Sequence, residues 1–383
     1  MSGITPRPEA DVGQVVLRAA ERPSYTEVFL TAAAPANSLP SDDAVPLLDR
    51  AAQRLAAFGA EPLQIKLYAT PEAMPGLLRV WHATAEMNGL PTCPVTPIER
   101  PTMDAGTFHG LQVWALAPPD DGPRGLVSTL GTAPDQVRRF QGPGFALLHA
   151  ANVQAATHAG GVTELNGMFE RAQELLTRHG QTYGQVFRTW IYVRDLLTDY
   201  ADLNRSRGAH HARHGVSPET PPASTGIQGA SGSAAAFMDV LALDAQDPTC
   251  AEVRPLRQSD RQGTATSYGS SFSRGMALVV EGKRTLFVSG TASIDPAGHS
   301  VYLDDPDAQC VATLLAIGGL LEREGAGLEH IRMATVFCKT PQAAQAWRRV
   351  TTLLRIPNLP AVVVQADVCR PELLVEVEAI AFL

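Results

Sequence analysis

Apolar and polar positions along this chain fall into the same order of elements three times. Residues 27–35 (EVFLTAAAP), 145–153 (FALLHAANV) and 286–294 (LFVSGTASI) read as one strand repeated. A loop follows each, and then apolar residues at helical spacing. These are Val45, Leu48, Ala52 and Leu55 in the first copy, and Met168, Ala172, Leu175 and Leu176 in the second. The third has Val311, Leu314, Leu315 and Leu321. A glycine stands after each helix (Gly59, Gly180, Gly325), where the left-handed conformation that stops a helix is wanted. Strands come next, at 64–69 (QIKLYA), 189–194 (TWIYVR) and 335–339 (TVFCK), then a second helix and two closing strands. The closing strands include 236–243 (AFMDVLAL) in copy two and 374–381 (LVEVEAIA) in copy three. Chance accounts for one such coincidence, but three in the same order make a repeat. The pattern predicts an α+β chain of three copies, at 1–120, 121–250 and 251–383. Pro- and Gly-rich joins fall near 118–125 and 246–262.

The last strand, 371–383 (PELLVEVEAIAFL), sets Glu376 among aliphatic residues. Alternation puts Glu376 and Glu378 on one face and Val375, Val377 and Ala379 on the other. That face is either wet or deliberately acidic. A buried carboxylate costs several kcal/mol unless it is paired or kept protonated, so burial there would mark an acid or a base. Asp239 is read as the counterpart of Glu376 in copy two, and copy one has no evident counterpart.

Composition narrows the classes. The 383 residues, 45% hydrophobic and 18% charged, suit a soluble globular protein with a large core. A net charge of −8 argues against a general nucleic-acid or membrane surface. Five cysteines without a CxxC pair suggest reduced thiols in a cytoplasm. No apolar run approaches the ~20 residues of a membrane span, and the N-terminus shows no basic-then-apolar signal.

From Tyr268 onward, the order TLFVSGTASI, helix, glycine, MATVFCK and VEVEAIA resembles the RidA/YjgF family (chorismate-mutase-like units). Proteins of that family are typically homotrimers with sites at subunit interfaces. The resemblance therefore implies that this chain folds as its own pseudo-trimer and stays a monomer, with sheets inward, helices outside and a live cleft between copy three and a neighbour. A simple RidA deaminase holds its substrate carboxylate with an arginine fifteen positions before the strand glutamate. Here that count reaches Ala361, which cannot pair with a carboxylate.

More specific motifs resemble the chorismatases, hydrolases on a YjgF-like fold that remove the enolpyruvyl group of chorismate. They are VWHA (80–83), RTW with Tyr192 (188–192), Tyr200 followed by Arg207, PASTGI (222–227), TSYG (266–269), Gln309-Cys310, and CRPELLVE (369–376). The chain departs from that pattern in a shorter segment between Trp190 and Tyr200, in Ile191 where the family has asparagine, and in Lys339 where arginine is usual. The resemblance implies a small-molecule dicarboxylate substrate, chorismate or an analogue, and no metal or organic cofactor. Cleaving its enol ether needs a proton on the terminal methylene carbon, delivered by a desolvated acid, for which Glu376 is the candidate. Two substrate carboxylates call for arginine forks, with Arg188, Arg207 and Arg349 as candidates. Tyr200, Thr225 and Tyr268 are the candidate hydrogen-bonding partners, and Gly226 lies in the same PASTGI element. Cysteine at position 369 goes with the members that make 3-hydroxybenzoate rather than a dihydrodiol. The alternatives are a RidA-type enamine or imine deaminase and a non-catalytic binding protein.

Two further motifs are set aside. His210 and His214 in HHARH make a helical i, i+4 pair, but the glutamate of HExxH is missing, so no metal is expected there. The glycines of GIQGASG (226–232) have neither a P-loop lysine nor a Rossmann context, and read as a flexible loop near the pocket.

Overall fold

The structure is a computed structural model and describes residues 13–34, 39–103, 106–119, 122, 124–265, 269–356 and 359–383. The first unit runs β1 (Gln14–Glu21), β2 (Thr26–Ala33), α1 (Ser41–Ala57), β3 (Glu61–Ala69), α2 (Met74–Met87), β4 (Val95–Glu99) and β5 (Phe108–Ala117). The second comprises β6 (Val127–Leu130), β7 (Val137–Gly142), β8 (Phe145–Gln154), α3 (Gly161–Arg178), β9 (Val186–Val193), α4 (Leu196–Arg213), β10 (Ala223–Gln228) and β11 (Ala236–Ala245). The third has β12 (Ala251–Leu256), β13 (Gly275–Val280), β14 (Lys283–Ala292), α5 (Pro306–Glu322), β15 (Ile331–Cys338), α6 (Pro341–Leu353), β16 (Ala361–Gln365) and β17 (Val375–Phe382).

Each unit closes its own mixed sheet, ordered β1-β2-β5-β3-β4, β10-β9-β11-β8-β7-β6 and β12-β13-β14-β17-β15-β16. The closing strand lies in the middle of each, and the strand after the second helix pairs parallel on the edge side. Helix ends follow their local chemistry. Gly59, Gly180 and Gly325 take φ of 66°, 78° and 75° just past α1, α3 and α5. Asp305 and Thr340 cap α5 and α6 by accepting from the Ala308 and Ala343 amides, with a proline in each first turn.

Side chains from all three sheets meet in one central core, including Phe29, Trp114, Phe145, Trp190, Phe237 and Phe287. Three further cores lie between each sheet and its helix pair. The sheets are therefore inside and the helices outside. Most of the predicted helix positions are buried, but Val45 and Leu315 face solvent at 39% and 47% exposure. In those two helices the apolar stripe runs through Leu47, Leu48 and Leu55 and through Leu314, Ile317 and Leu321 instead.

Register fixes which residues correspond between units. Val113, Val240 and Ala379 each pair across to both flanking strands at the same step. One residue earlier stand Gln112, Asp239 and Glu378, and three earlier stand Gly110, Phe237 and Glu376. The expected equivalence of Asp239 with Glu376 is thus corrected, since Asp239 matches Glu378. A two-residue slip keeps the face, so sequence comparison alone does not separate the two alignments.

Candidate active site

The three units meet along three interfaces with different contents. Between units one and three, a Cβ placed on Gly110 would lie 2.6 Å from Val362 Cγ2, so apolar contact fills the position of the acid. Between units two and one, Phe237 takes that position and stacks on Tyr192 with ring centroids 4.8 Å apart. Here Asp239 is fully satisfied, accepting from Thr96 Oγ1 at 2.6 Å, Gln64 Nε2 at 2.9 Å and the Asn152 amide at 2.9 Å. His149 Nε2 lies 3.3 Å away. Burial would raise the Asp239 pKa, but His149, Lys66 and Thr96 together hold it below the usual carboxylate range. That carboxylate holds structure together.

Only the interface of units three and two carries an acid at that position. Its cavity has a volume of about 210 Å³. Unit two contributes Tyr200, Asn204 and Arg207 from α4, and Ser224 and Gly226 from β10. Unit three contributes Phe272, Arg274, Gly290, Cys369, Arg370 and Glu376. Glu376 is 4% exposed, so the wet-face reading of β17 is excluded. Burial, with repulsion from Glu378, pushes its pKa from the ordinary 4.5 up to about 8, against the pull of Arg188 and Arg274. At neutral pH it holds its proton. Gly290 makes room for the carboxyl, because a Cβ there would stand 2.0 Å from Glu376 Oε1.

Glu378, two residues on, behaves oppositely. Burial would raise its pKa too, but Lys66 Nζ at 3.2 Å and Arg188 Nη2 at 2.8 Å keep it ionised. The two carboxyls of one strand are thereby driven apart in protonation, one neutral in the cavity and one charged at the axis.

The cations divide as well. Arg207 faces the cavity, donating to Ser224 Oγ at 3.2 Å and to Asn204 Oδ1 at 2.6 Å, with its guanidinium 5.3 Å from the Phe272 ring centroid. Arg274, buried, donates Nε to Gly263 O at 2.9 Å and lies 5.7 Å from the same ring. Arg370 donates to Gly298 O and Ser300 Oγ at 2.9 and 3.1 Å. Arg188 does not line the cavity. It bonds Glu378 and, at 2.8 Å, Thr225 Oγ1, and lies over Trp190. It is held by Thr225 and Glu378 behind the cavity wall, because on β9 its side chain points to the axis. Arg349 is also corrected: it sits on the outer face of α6, 53% exposed, in an ion pair with Asp307. Tyr268 lies outside the described residues.

Thr225 reaches the site indirectly, accepting from the Gly290 amide at 3.1 Å and so tying β10 to β14. Of the 226–232 stretch, expected as a flexible loop, residues 226–228 belong to strand β10, parallel to β9. Gly229 lets it pass close to Tyr192, where a Cβ would meet the ring at 2.9 Å. The fifteen-residue count back from Glu376 stays within its own unit. Ala361 lies on β16, which runs against unit one, whereas the strand across the cavity from Glu376 is β10, where Ser224 corresponds to Ala361. Ser224 receives a guanidinium from Arg207 instead of supplying one.

Cys369 lines the cavity. Burial and the neighbouring Glu376 push its pKa up to about 12, against Arg370 and a hydrogen bond with Tyr200, so it is a thiol at neutral pH. Sequence reasoning missed Arg274, Arg370, Phe272 and Gly290. Arginine beside a strand start, as in FSRG, was the one available signal for Arg274.

Fold and site together define a single-chain assembly of three similar α+β units with one acidic interface. Residues 270–383 match the endoribonuclease L-PSP family. Resemblance to chorismatases is found over about half of the chain in sequence and over most of it in fold. A solved chorismatase superposes with a TM-score of 0.59 over 84% of this chain and 93% of its own, at 18% identity, and so shares the fold. A protein named 3-hydroxybenzoate synthase from Streptomyces hygroscopicus is 28% identical over 231 residues, 54% of this chain and 66% of that protein. A chorismatase from Streptomyces rapamycinicus is 28% identical over 220 residues, 52% of this chain and 64% of its own. The aligned stretches thus span just under two thirds of those two relatives.

Proposed function

We propose that this chain cleaves the enolpyruvyl ether of chorismate, or of a close analogue, and releases pyruvate. The observation that carries the reading is a buried carboxyl that keeps its proton at neutral pH inside a cavity bordered by Arg207, Arg274 and Arg370. Three guanidiniums against one neutral acid leave a net positive pocket suited to a dicarboxylate. Glu376 delivers its proton to the terminal methylene carbon, making a methyl group and an oxocarbenium centre at the ether carbon. Glu378 stays ionised behind it, and its charge helps stabilise that cation while Arg207 and Arg274 hold the carboxylates.

Two outcomes balance from that intermediate. Addition of water gives a dihydroxycyclohexadienoate and pyruvate, whereas attack from within the ring system followed by aromatisation gives 3-hydroxybenzoate and pyruvate with no net water. Cys369 bears on this choice, as an apolar thiol that keeps water off the intermediate. The names of the relatives from Streptomyces favour the same substrate, and one of them the second outcome. The test is purified protein with chorismate, following pyruvate enzymatically and aromatic products by chromatography. Absence of pyruvate release above the uncatalysed rate overturns the proposal.

Two substitutions separate the roles. Arg207→Lys keeps the charge but loses the planar fork, so KM for chorismate should rise roughly tenfold or more with the far-ultraviolet circular dichroism unchanged. An unaltered KM would remove Arg207 from carboxylate binding. Cys369→Ala opens space for one or two waters beside the intermediate. It should still release pyruvate while product moves from 3-hydroxybenzoate towards the dihydrodiol. An unchanged product ratio reduces Cys369 to packing.

A further inference from the structure

The outer end of α4 carries a second cluster that the cavity does not use. His210 and His214 lie one turn apart on α4, the latter as its C-terminal cap, and Glu170 faces them from α3. One potential ligand atom from each lies within 4.8 Å of the others. The two imidazole rings are 4.2 Å apart, and His210 Nδ1 stands 4.0 Å from Glu170 Oε1. His210 is 4% exposed, yet its Nε2 has no hydrogen-bond partner, nor has His214 Nε2. Buried imidazole nitrogens left unpaired are costly, and need a reason. The pair lacked a third ligand in the sequence because that ligand comes from another helix.

We propose that His210, His214 and Glu170 form a binding site for a divalent first-row metal ion of the zinc class, with water in the fourth position. Two nitrogens and a carboxylate oxygen are the donor set such ions take when one position stays open. Ligand atoms of a tetrahedral site lie about 3.3 Å apart, so the three must close by about 1.5 Å, within the reach of side-chain rotation. Arg213 and His210 both approach Glu170 on its Oε1 side. The Tyr183 ring packs edge-on against His210, 4.4 Å between centroids, and holds that ring in place. The ion would pin α4 to α3 one turn beyond Arg207.

The experiment needs no assumption about the cavity. Untagged full-length protein, freed of metal with a chelator, is titrated with cobalt(II), whose visible ligand-field absorption is intense at four-coordinate sites. The expected result is saturable absorption at one ion per chain, displaced by zinc(II). Affinity should fall roughly 10–100-fold or more in Glu170→Gln and in His214→Ala. It should be unchanged in His299→Ala, whose side chain is 78% exposed elsewhere on the surface. No saturable absorption, or equal affinity in Glu170→Gln, overturns the site. Glu170 is half-exposed, so that variant decides the matter even where His214→Ala misfolds.

Discussion

Glu376→Gln should fold like the wild type and lose pyruvate release by roughly 10²–10⁴-fold, the usual worth of a positioned general acid. Glutamine keeps the shape and the buried environment and removes only the transferable proton. The wild-type pH profile should carry the same signature. With a pKa of about 8, activity should hold through neutral pH and fall above pH 8 as Glu376 ionises. Stability gives an independent reading. The native pKa lies above the unfolded value of about 4.5, so the native state binds the extra proton between about pH 4.5 and 8. Stability therefore declines with rising pH across that window, and the lost part is not recovered above it. Glutamine cannot ionise, so Glu376→Gln should have the higher melting temperature at pH 8 and a smaller advantage at pH 5. Near wild-type turnover in Glu376→Gln would overturn the assignment, with Glu378 unable to substitute because Lys66 and Arg188 keep it charged.

The repeat and the acid were legible in the sequence for one physical reason. Both are periodic signals, and a carboxylate amid β-branched residues stands out against strand alternation. What stayed hidden depends on contacts between units. Arg188 and Arg207 look alike as residues near aromatic motifs, but β9 aims one at the axis while α4 aims the other into the cavity. Arg349 lies on an amphipathic helix whose outer face is solvated, which only the packing of α6 reveals. Asp239 and Phe237 share a face, so alternation alone does not tell which of them corresponds to Glu376. Gly290 carried no signal at all, since its requirement is set by a side chain 86 positions away in the chain.

Gly290→Ala should cost turnover on the order of 10²-fold while leaving the fold intact. Gly290 is not held at positive φ, so alanine brings no backbone strain. The added methyl would stand 2.0 Å from Glu376 Oε1 and 2.9 Å from its Cδ, with Thr225 Cγ2 at an already tight 3.2 Å. Thr225 is held by Arg188 and by the Gly290 amide, so the mobile partner is the Glu376 carboxyl. It must swing away from the position from which it reaches substrate, and a displacement of about 1 Å can cost 10²-fold in rate. A displaced acid predicts a particular pattern. Gly290→Ala should lower kcat far more than it raises KM, because the guanidiniums that bind carboxylates do not move. In a Glu376→Gln background the same substitution should add almost nothing, since the proton it misplaces is already gone. A purely structural role for Gly290 would give the reverse, a lowered melting temperature and a loss that adds in full to that of Glu376→Gln. Steady-state kinetics of the two single variants and the double variant, with their melting temperatures, separate these cases, and full additivity would show that Gly290 does not position the acid.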